Sequence, residues 1–371
     1  MNKYKYAAPC LMGTEKLLSN ELKFIGAENV SAENGRVYFE GDLPLLARAN
    51  IRSRIAERIL MVIARFEAYS FEQLFQSVKA VKWSDYLPED AIFPVTGSCL
   101  SSKLMSVSDC QSVIKKAVVE SLKKDYKKDV FPENGEEYKI KFLILKDHVS
   151  VMLDTSGRPL HKRGYRAVSN DAPIKETLAA ALCELSGVRS NHIVIDPFCG
   201  SGTILIEAAL KALNIAPNIN GGFSSEKWDM IPKDIWITER RNAENDIRRD
   251  AAFHAYGYDI DDNALEISKK NARLAGVAEY ITFEHRDIAD FHEDHEFATV
   301  ICNPPYGERL LDVARAEQIY RTMGKVFHKQ KGRRYTIICP DDDFQKCFGR
   351  TADKRRKLYN GTLSCQAYIY F

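Results

Sequence analysis

The chain has 371 residues, 45% of them hydrophobic and 28% charged, with 53 Lys and Arg against 51 Asp and Glu. This balance fits a globular protein of two or three domains and excludes both a strongly charged disordered chain and, for want of a long apolar run, a membrane-spanning helix. The nine cysteines are irregularly spaced with no C-x-x-C pair, which argues against a disulfide framework or a zinc site; with no leader-like N-terminus, a reduced, cytoplasmic protein without metal is expected.

Charge is unevenly spread. Up to Arg166 there are 26 Lys and Arg against 21 Asp and Glu, and beyond it 27 against 30. The small N-terminal excess suits a surface facing nucleic acid, and suits a mixed solvated surface as well.

In chain order, KYAAPC reads as a strand and TEKLLSNELKFIG as a helix with Thr14 as N-cap and Gly26 just past its end. RVYFEG is a strand, DLPLLARANIRS a helix capped by Asp42, and ERILMVIARFEA a long apolar strand. Strands before and between helices predict a small α+β ferredoxin-like layer. A second unit of the same kind follows: helix SFEQLFQSVKAV, strand AIFPVTGSCL, helix DCQSVIKKAVVESLKKDY and a strand pair turning at LKDH. The basic, aromatic connector GRPLHKRGYR leads out of it.

From Pro173 the texture changes to helices alternating with hydrophobic strands. PIKETLAAALCELSG is a helix, HIVIDPF a strand and TILIEAALKALN a helix, followed by a long polar segment to about Ala252. Strand AYGYDI, helix DNALEISKKNARLAG, strands ITFEHRD and FATVICN, helix ARAEQIYRTMGKVFHKQKG and strand RYTIICP come next, with a hairpin across Asn360-Gly361. This alternation predicts an α/β domain with a doubly wound, mostly parallel sheet, whose ligands bind outside the carboxyl ends of its strands.

Four strand ends carry candidate chemistry. Ile193-Val194-Ile195 runs into Asp196 and a Gly200-Ser201-Gly202 turn that opens a helix, where backbone N–H groups can approach a ligand. The third position of a dinucleotide fingerprint would be Leu205, which disfavours that reading. Asp259 ends the next strand, where a carboxylate accepts both hydroxyls of a ribose; Asp261 or Asp262 caps the helix that follows. Asp287 ends another strand and can accept from an adenine amino group. The fourth end is Asn303-Pro304-Pro305-Tyr306. Two prolines cannot continue a ladder, so this is a stiff elbow. The Asn303 side-chain oxygen and the Pro304 carbonyl can accept from one exocyclic NH₂, and the Tyr306 ring offers a planar base about 1–3 kcal/mol of stacking. An amino group so held recovers lone-pair character on one side and becomes a nucleophile.

Elsewhere, HKRGYR interleaves Lys162, Arg163 and Arg166 with Tyr165, which suits either a phosphate and stacking surface or a linker packed between domains. HEDHE at 292–296 reads as a solvated loop, and Cys199 and Cys302 as small buried residues.

DPFCGSGT, GYDID and NPPYGERL resemble the nucleoside-binding and catalytic motifs of class I S-adenosylmethionine-dependent amino methyltransferases. Together with HKRGYR, APIKETLAAAL and DPFCGSGTILIEAA, they resemble the THUMP-containing RNA methyltransferases, and among these the bacterial enzymes acting on guanine N2 of 23S ribosomal RNA. The resemblance implies a ferredoxin-like domain at 1–66, a THUMP RNA-binding domain at 67–160 and a Rossmann-like methyltransferase domain at 161–371. It implies S-adenosylmethionine as cofactor, with Asp196, Phe198, Gly200, Gly202 and Thr203 along its methionine part. Asp259 would hold the ribose, Ile260 would lie against the adenine and Asp287 would meet the adenine amino group. Asn303, Pro304 and Tyr306 would orient the guanine, and the partner would be 23S rRNA, free or in an assembly intermediate, with one methylation per chain. The same elbow also serves adenine N6 on RNA or DNA and glutamine on protein, tRNA is a second RNA candidate, and an RNA-binding protein with a vestigial cofactor site is the non-enzymatic alternative. Asp196 and Asp259 stand far apart for this class, and the extra length, about Asn214 to Arg249, reads as a subgroup insertion or a substrate flap.

Overall fold

The computed structural model describes residues 3–166, 174–292, 295–306, 310–361 and 363–371. The N-terminal part runs β1 (Tyr4–Pro9), α1 (Glu15–Phe24), β2 (Glu28–Glu33), β3 (Arg36–Gly41), α2 (Leu43–Arg52) and β4 (Leu60–Glu67), then α3 (Phe71–Lys79), β5 (Val95–Leu100), α4 (Val107–Tyr126), β6 (Ile140–Leu145) and β7 (His148–Asp154). Local chemistry explains most helix starts: Asp42, Ser70 and Ser106 each accept a first-turn N–H. Thr14 stands at the cap of α1 but donates its hydroxyl to the Leu11 carbonyl. The Glu15 carboxylate instead takes the N–H groups of Gly13 and Gly35, pinning the helix to the β2–β3 turn.

The two α+β units share a single sheet. β4 pairs antiparallel with β7, from Leu60 opposite Asp154 to Glu67 opposite His148, and the strand order is β2-β3-β1-β4-β7-β6-β5. β2 has no apolar alternation, so the sequence pattern does not reveal it; it forms on the edge by pairing with β3.

The C-terminal part continues as α5 (Glu176–Leu185), β8 (Ile193–Asp196), α6 (Thr203–Ala212), α7 (Lys233–Asn245), β9 (His254–Asp259), α8 (Asp262–Leu274), β10 (Ile281–His285), β11 (Ala298–Cys302), α9 (Leu310–Val326), β12 (Arg333–Cys339), α10 (Phe344–Phe348), β13 (Lys354–Asn360) and β14 (Leu363–Tyr370). Its sheet has the order β10-β9-β8-β11-β12-β14-β13, with every pairing parallel except those of β14, which runs antiparallel to both β12 and β13. The expected α/β architecture is therefore present. The order reverses between β8 and β11, and the crevice outside their carboxyl ends is where such sheets bind ligands. Pro173, the expected start of α5, lies outside the described residues. Among the described residues no helix is long and apolar enough to cross a membrane.

The polar stretch before Ala252 contains α7 and is not a flap. Trp228 stacks on Tyr138 with ring centroids 4.7 Å apart, and its indole N–H donates to the Glu137 carbonyl at 3.0 Å. Trp236 stacks on Phe223, and Arg48 of α2 grips Glu239 of α7 through two bonds of 2.9 and 2.7 Å. Both tryptophans are buried in the N-terminal core, so the segment fastens the two parts of the chain together.

The connector corrects the RNA-facing expectation for HKRGYR. Arg163 is buried: its guanidinium donates to the carbonyls of Leu160 and Arg54 and lies 3.5 Å from the Glu207 carboxylate. The Tyr165 hydroxyl donates to the same carboxylate at 3.0 Å, and Arg166 pairs with Glu176 at 3.0 Å. A buried guanidinium and ring cannot meet phosphates or stack on bases; these side chains join domains, and of the expected four only Lys162 is exposed.

Candidate cofactor and substrate site

The site is built from strand ends upward. β8 delivers Asp196 to a buried position where it accepts the Phe198 N–H at 3.0 Å. Burial, with some help from Asp259, raises its pKa to about 8. Past it, Gly200 and Gly202 take φ of +51° and +78°, left-handed values that favour glycine. A Cβ at Gly202 would come within 3.2 Å of Ser268 and 3.3 Å of Phe283, whereas at Gly200 it would meet open space.

Asp259, at the end of β9, braces this turn. One carboxylate oxygen accepts the Gly200 N–H at 2.9 Å and the other the Asp261 N–H at 3.0 Å. Asp261 in turn caps α8 through the Asn263 N–H. Two residues of α8 that sequence reasoning missed complete the brace. The Ser268 hydroxyl donates to the Gly200 carbonyl at 2.6 Å, and the Asn271 amide to the Ser201 carbonyl at 3.0 Å. Their signal was available: both are polar residues on the buried face of an amphipathic helix.

After β10, Asp287 caps a short turn by accepting the Ala289 N–H at 2.7 Å. Arg286 beside it lies over the Tyr258 ring at 4.0 Å and pairs with Glu284 at 3.0 Å. The elbow after β11 is held from below: the Tyr320 hydroxyl of α9 donates to the Pro305 carbonyl at 3.4 Å and receives the Cys339 thiol at 3.4 Å. Cys199 and Cys302 are buried, and burial holds both thiols well above their usual pKa. That leaves them neutral and small, as expected.

These strand ends surround a cavity of about 770 Å³. Phe198, Asp259, Ile260, Asp287, Asn303, Pro304 and Tyr306 all line it, as do Arg286, Gln318, Ile319 and Thr322, which sequence reasoning did not single out. Asp196, Gly202 and Thr203 are buried behind the wall, and Gly200 is tied to it through Asp259. Gly307, Glu308 and Arg309, the continuation of the elbow, lie outside the described residues, as do Glu293 and Asp294 of the HEDHE segment. Among the described residues no group of His, Cys, Asp and Glu could hold a metal ion.

The lining fits a nucleoside-bearing cofactor. Ile260 is 64% exposed on the wall, an apolar surface for a flat heterocycle, with carboxylates at Asp259 and Asp287 on either side to accept hydroxyl and amino hydrogens. A Rossmann-like sheet with this cavity at its switch point suits a nucleoside-bearing ligand, and the family match and a relative complexed with SAH make it the sheet of a class I S-adenosylmethionine-dependent methyltransferase. Residues 163–369 match the family described as the RMKL-like methyltransferase domain, residues 5–60 the RlmL ferredoxin-like domain and residues 68–154 the THUMP domain. YpsC of Bacillus subtilis, named as a candidate RNA methyltransferase, is 42% identical over 373 residues, spanning 100% of this chain and 97% of that protein. A structure from Listeria monocytogenes, described as a predicted N6-adenine-specific DNA methylase, superposes with a TM-score of 0.95 at 42% identity and covers 100% of this chain and 97% of that one. SMU.472, described as a candidate methyltransferase complexed with SAH, superposes with a TM-score of 0.94 at 39% identity, covering 100% of this chain and 98% of that one. The chain belongs to the RMKL-like methyltransferase family and carries a ferredoxin-like and a THUMP domain ahead of its catalytic domain.

Proposed function

We propose that the chain methylates the N2 amino group of a guanine in 23S ribosomal RNA. The observation that carries this reading is one cavity wall shared by Asp259, Ile260 and Asp287 on one side and Asn303, Pro304 and Tyr306 on the other. The first group suits the nucleoside of the cofactor, the second an amino-bearing base. When bound, S-adenosylmethionine supplies an electrophilic methyl group on a positive sulfonium.

The chain's own part is positioning. The Asn303 side-chain oxygen and the Pro304 carbonyl accept the two amino hydrogens and turn the nitrogen lone pair out of conjugation, while Tyr306 fixes the ring plane. A paired guanine has its amino group engaged, so the base is flipped out of its stack to reach this pocket. The N-terminal domains would hold the RNA by shape and phosphate contacts. Adenine N6 is the second reading, because the same acceptors serve its amino group and the Listeria relative is described as acting there.

Cells lacking this gene and complemented cells decide the matter. Their 23S rRNA and tRNA are digested separately and methylated nucleosides are quantified by mass spectrometry. Loss of one N2-methylguanosine from 23S rRNA, restored by wild type and not by Asn303→Ala, supports the proposal. Loss from tRNA, or loss of N6-methyladenosine instead, overturns the substrate or the base.

A further inference from the structure

A second cleft, of about 690 Å³, lies on the rim of the catalytic sheet opposite the cofactor cavity. It is formed by the amino ends of β11 and β12, the loop between α9 and β12, and the segment leading into β8. Arg189, Lys329, Lys331, Arg333 and Arg334 line it together with Phe371, and among the described residues no Asp or Glu does.

Arg189, Lys329, Lys331 and Arg334 are crowded together, and among the described residues no Asp or Glu pairs with any of these four. Burial first, and then the nearby Arg189, pull down the pKa of Arg334; burial, Arg189 and Arg334 do the same to His192. Arg334 finds a neutral acceptor, the Ser186 carbonyl at 2.7 Å, and lies 4.7 Å from the centre of the Phe371 ring. His192 Nδ1 is buried with no hydrogen-bond partner among the described residues. Like charges held this close repel, and a bound polyanion relieves the repulsion. Phe371 is 41% exposed at the mouth and adds an aromatic surface for a base.

The basic track is longer than one phosphate. A neighbouring groove of about 560 Å³ shares Arg189 and continues past Arg248 toward the N-terminal unit, where the Arg54 guanidinium is already bonded to the Leu210 and Ile215 carbonyls. Glu21 and Glu184 also line that groove, so the excess of cations over carboxylates is greatest in the cleft. Cations spaced along a wall match repeating phosphates better than a single small anion.

We infer that this rear cleft binds the phosphate backbone of RNA, away from the methyl-transfer pocket, and that the substrate is a folded RNA reaching both rims of the catalytic sheet. The inference rests on the RNA reading above. The test measures binding of full-length protein to unmodified 23S rRNA and to poly(U) over a range of salt, with Lys329→Glu/Lys331→Glu and Arg189→Glu as variants. Lys269→Glu/Lys270→Glu on α8 makes the same change in net charge as the double cleft variant, elsewhere. Calorimetric S-adenosylmethionine binding reports the fold of each. The expected result is at least tenfold weaker RNA binding by the cleft variants, with cofactor affinity unchanged and the α8 variant close to wild type. The log–log salt slope should fall by about 0.7–0.9 for every phosphate that the variant no longer neutralises. Cleft variants that bind RNA like wild type overturn the inference while leaving the RNA reading intact, and so does an equal weakening in the α8 variant. A wild-type protein that binds cofactor and neither RNA overturns both.

Discussion

The guanidinium of Arg163 lies 3.5 Å from the carboxylate of Glu207, with both side chains buried and the Tyr165 hydroxyl bonded to the same carboxylate. Arg163 also donates to the Arg54 carbonyl, so this ion pair ties the connector to the N-terminal unit and to α6 at once. Arg163→Met leaves Glu207 as an uncompensated buried charge, and the expected cost is about 3–5 kcal/mol. Denaturant unfolding measures it. At temperatures where the variant remains folded its RNA affinity should equal that of wild type; a specific RNA defect without destabilisation would restore the phosphate-binding role to Arg163.

Asp259 both braces the glycine turn and faces the cavity. Asp259→Ala removes two charge-assisted acceptors, and cofactor binding is expected to weaken by roughly 1.5–3 kcal/mol, about ten- to a hundredfold. Calorimetry on a folded variant is the check, and unchanged affinity would remove Asp259 from the ribose site.

Tyr320→Phe deletes the hydroxyl that reaches the Pro305 carbonyl while keeping the ring against Phe344. Loss of a neutral hydrogen bond of about 0.5–1.5 kcal/mol should lower kcat by up to about tenfold with cofactor affinity unchanged. Steady-state kinetics alongside calorimetry separates this from a general loss of structure.

Trp228 is expected to matter for stability and not for turnover. Trp228→Ala empties the stack on Tyr138 and should cost about 3–5 kcal/mol. If the segment were a substrate flap, the change would fall on kcat and KM with little effect on unfolding.

Glu57 gives the domain junction a pH dependence. Burial alone would raise its pKa, but hydrogen bonds from His161 and Thr177, with Lys175 nearby, outweigh it and bring the value down to about 2. Because the folded value lies below the unfolded one, this stabilisation is fully present above about pH 4.5 and is lost as pH falls toward 2. Glu57→Gln should remove about 1.5–3 kcal/mol at neutral pH and flatten that part of the acid unfolding curve. An unaltered acid limb would show that the junction does not depend on this carboxylate.

Much of the site was legible because its signals are local. Asp196, Asp259 and Asn303 stand at or just past strand ends and Asp287 two residues beyond one, and in a parallel sheet the carboxyl ends share one rim whatever the details of packing. Pro304 and Pro305 announce their elbow through backbone constraints alone. Ser268 and Asn271 show in the sequence only as polar residues on the apolar face of a helix, and what they hold is decided when the glycine turn is brought beside them. The connector left its two readings, RNA surface or packed linker, open for a related reason. Its composition is that of an RNA-binding stretch, and nothing within six residues reveals that Glu207 waits to bury Arg163 and Tyr165.

By itself, then, the sequence determined the α/β character of the catalytic domain, the order of its strands and the residues at its strand ends, since these follow from periodicity, turn chemistry and chirality over short spans. Only the tertiary structure decided that β4 and β7 merge two α+β units into one sheet, that α7 and its tryptophans serve as a fastening, and which basic residues face solvent. Those outcomes rest on contacts between residues tens to more than a hundred positions apart, whose partners no local pattern specifies.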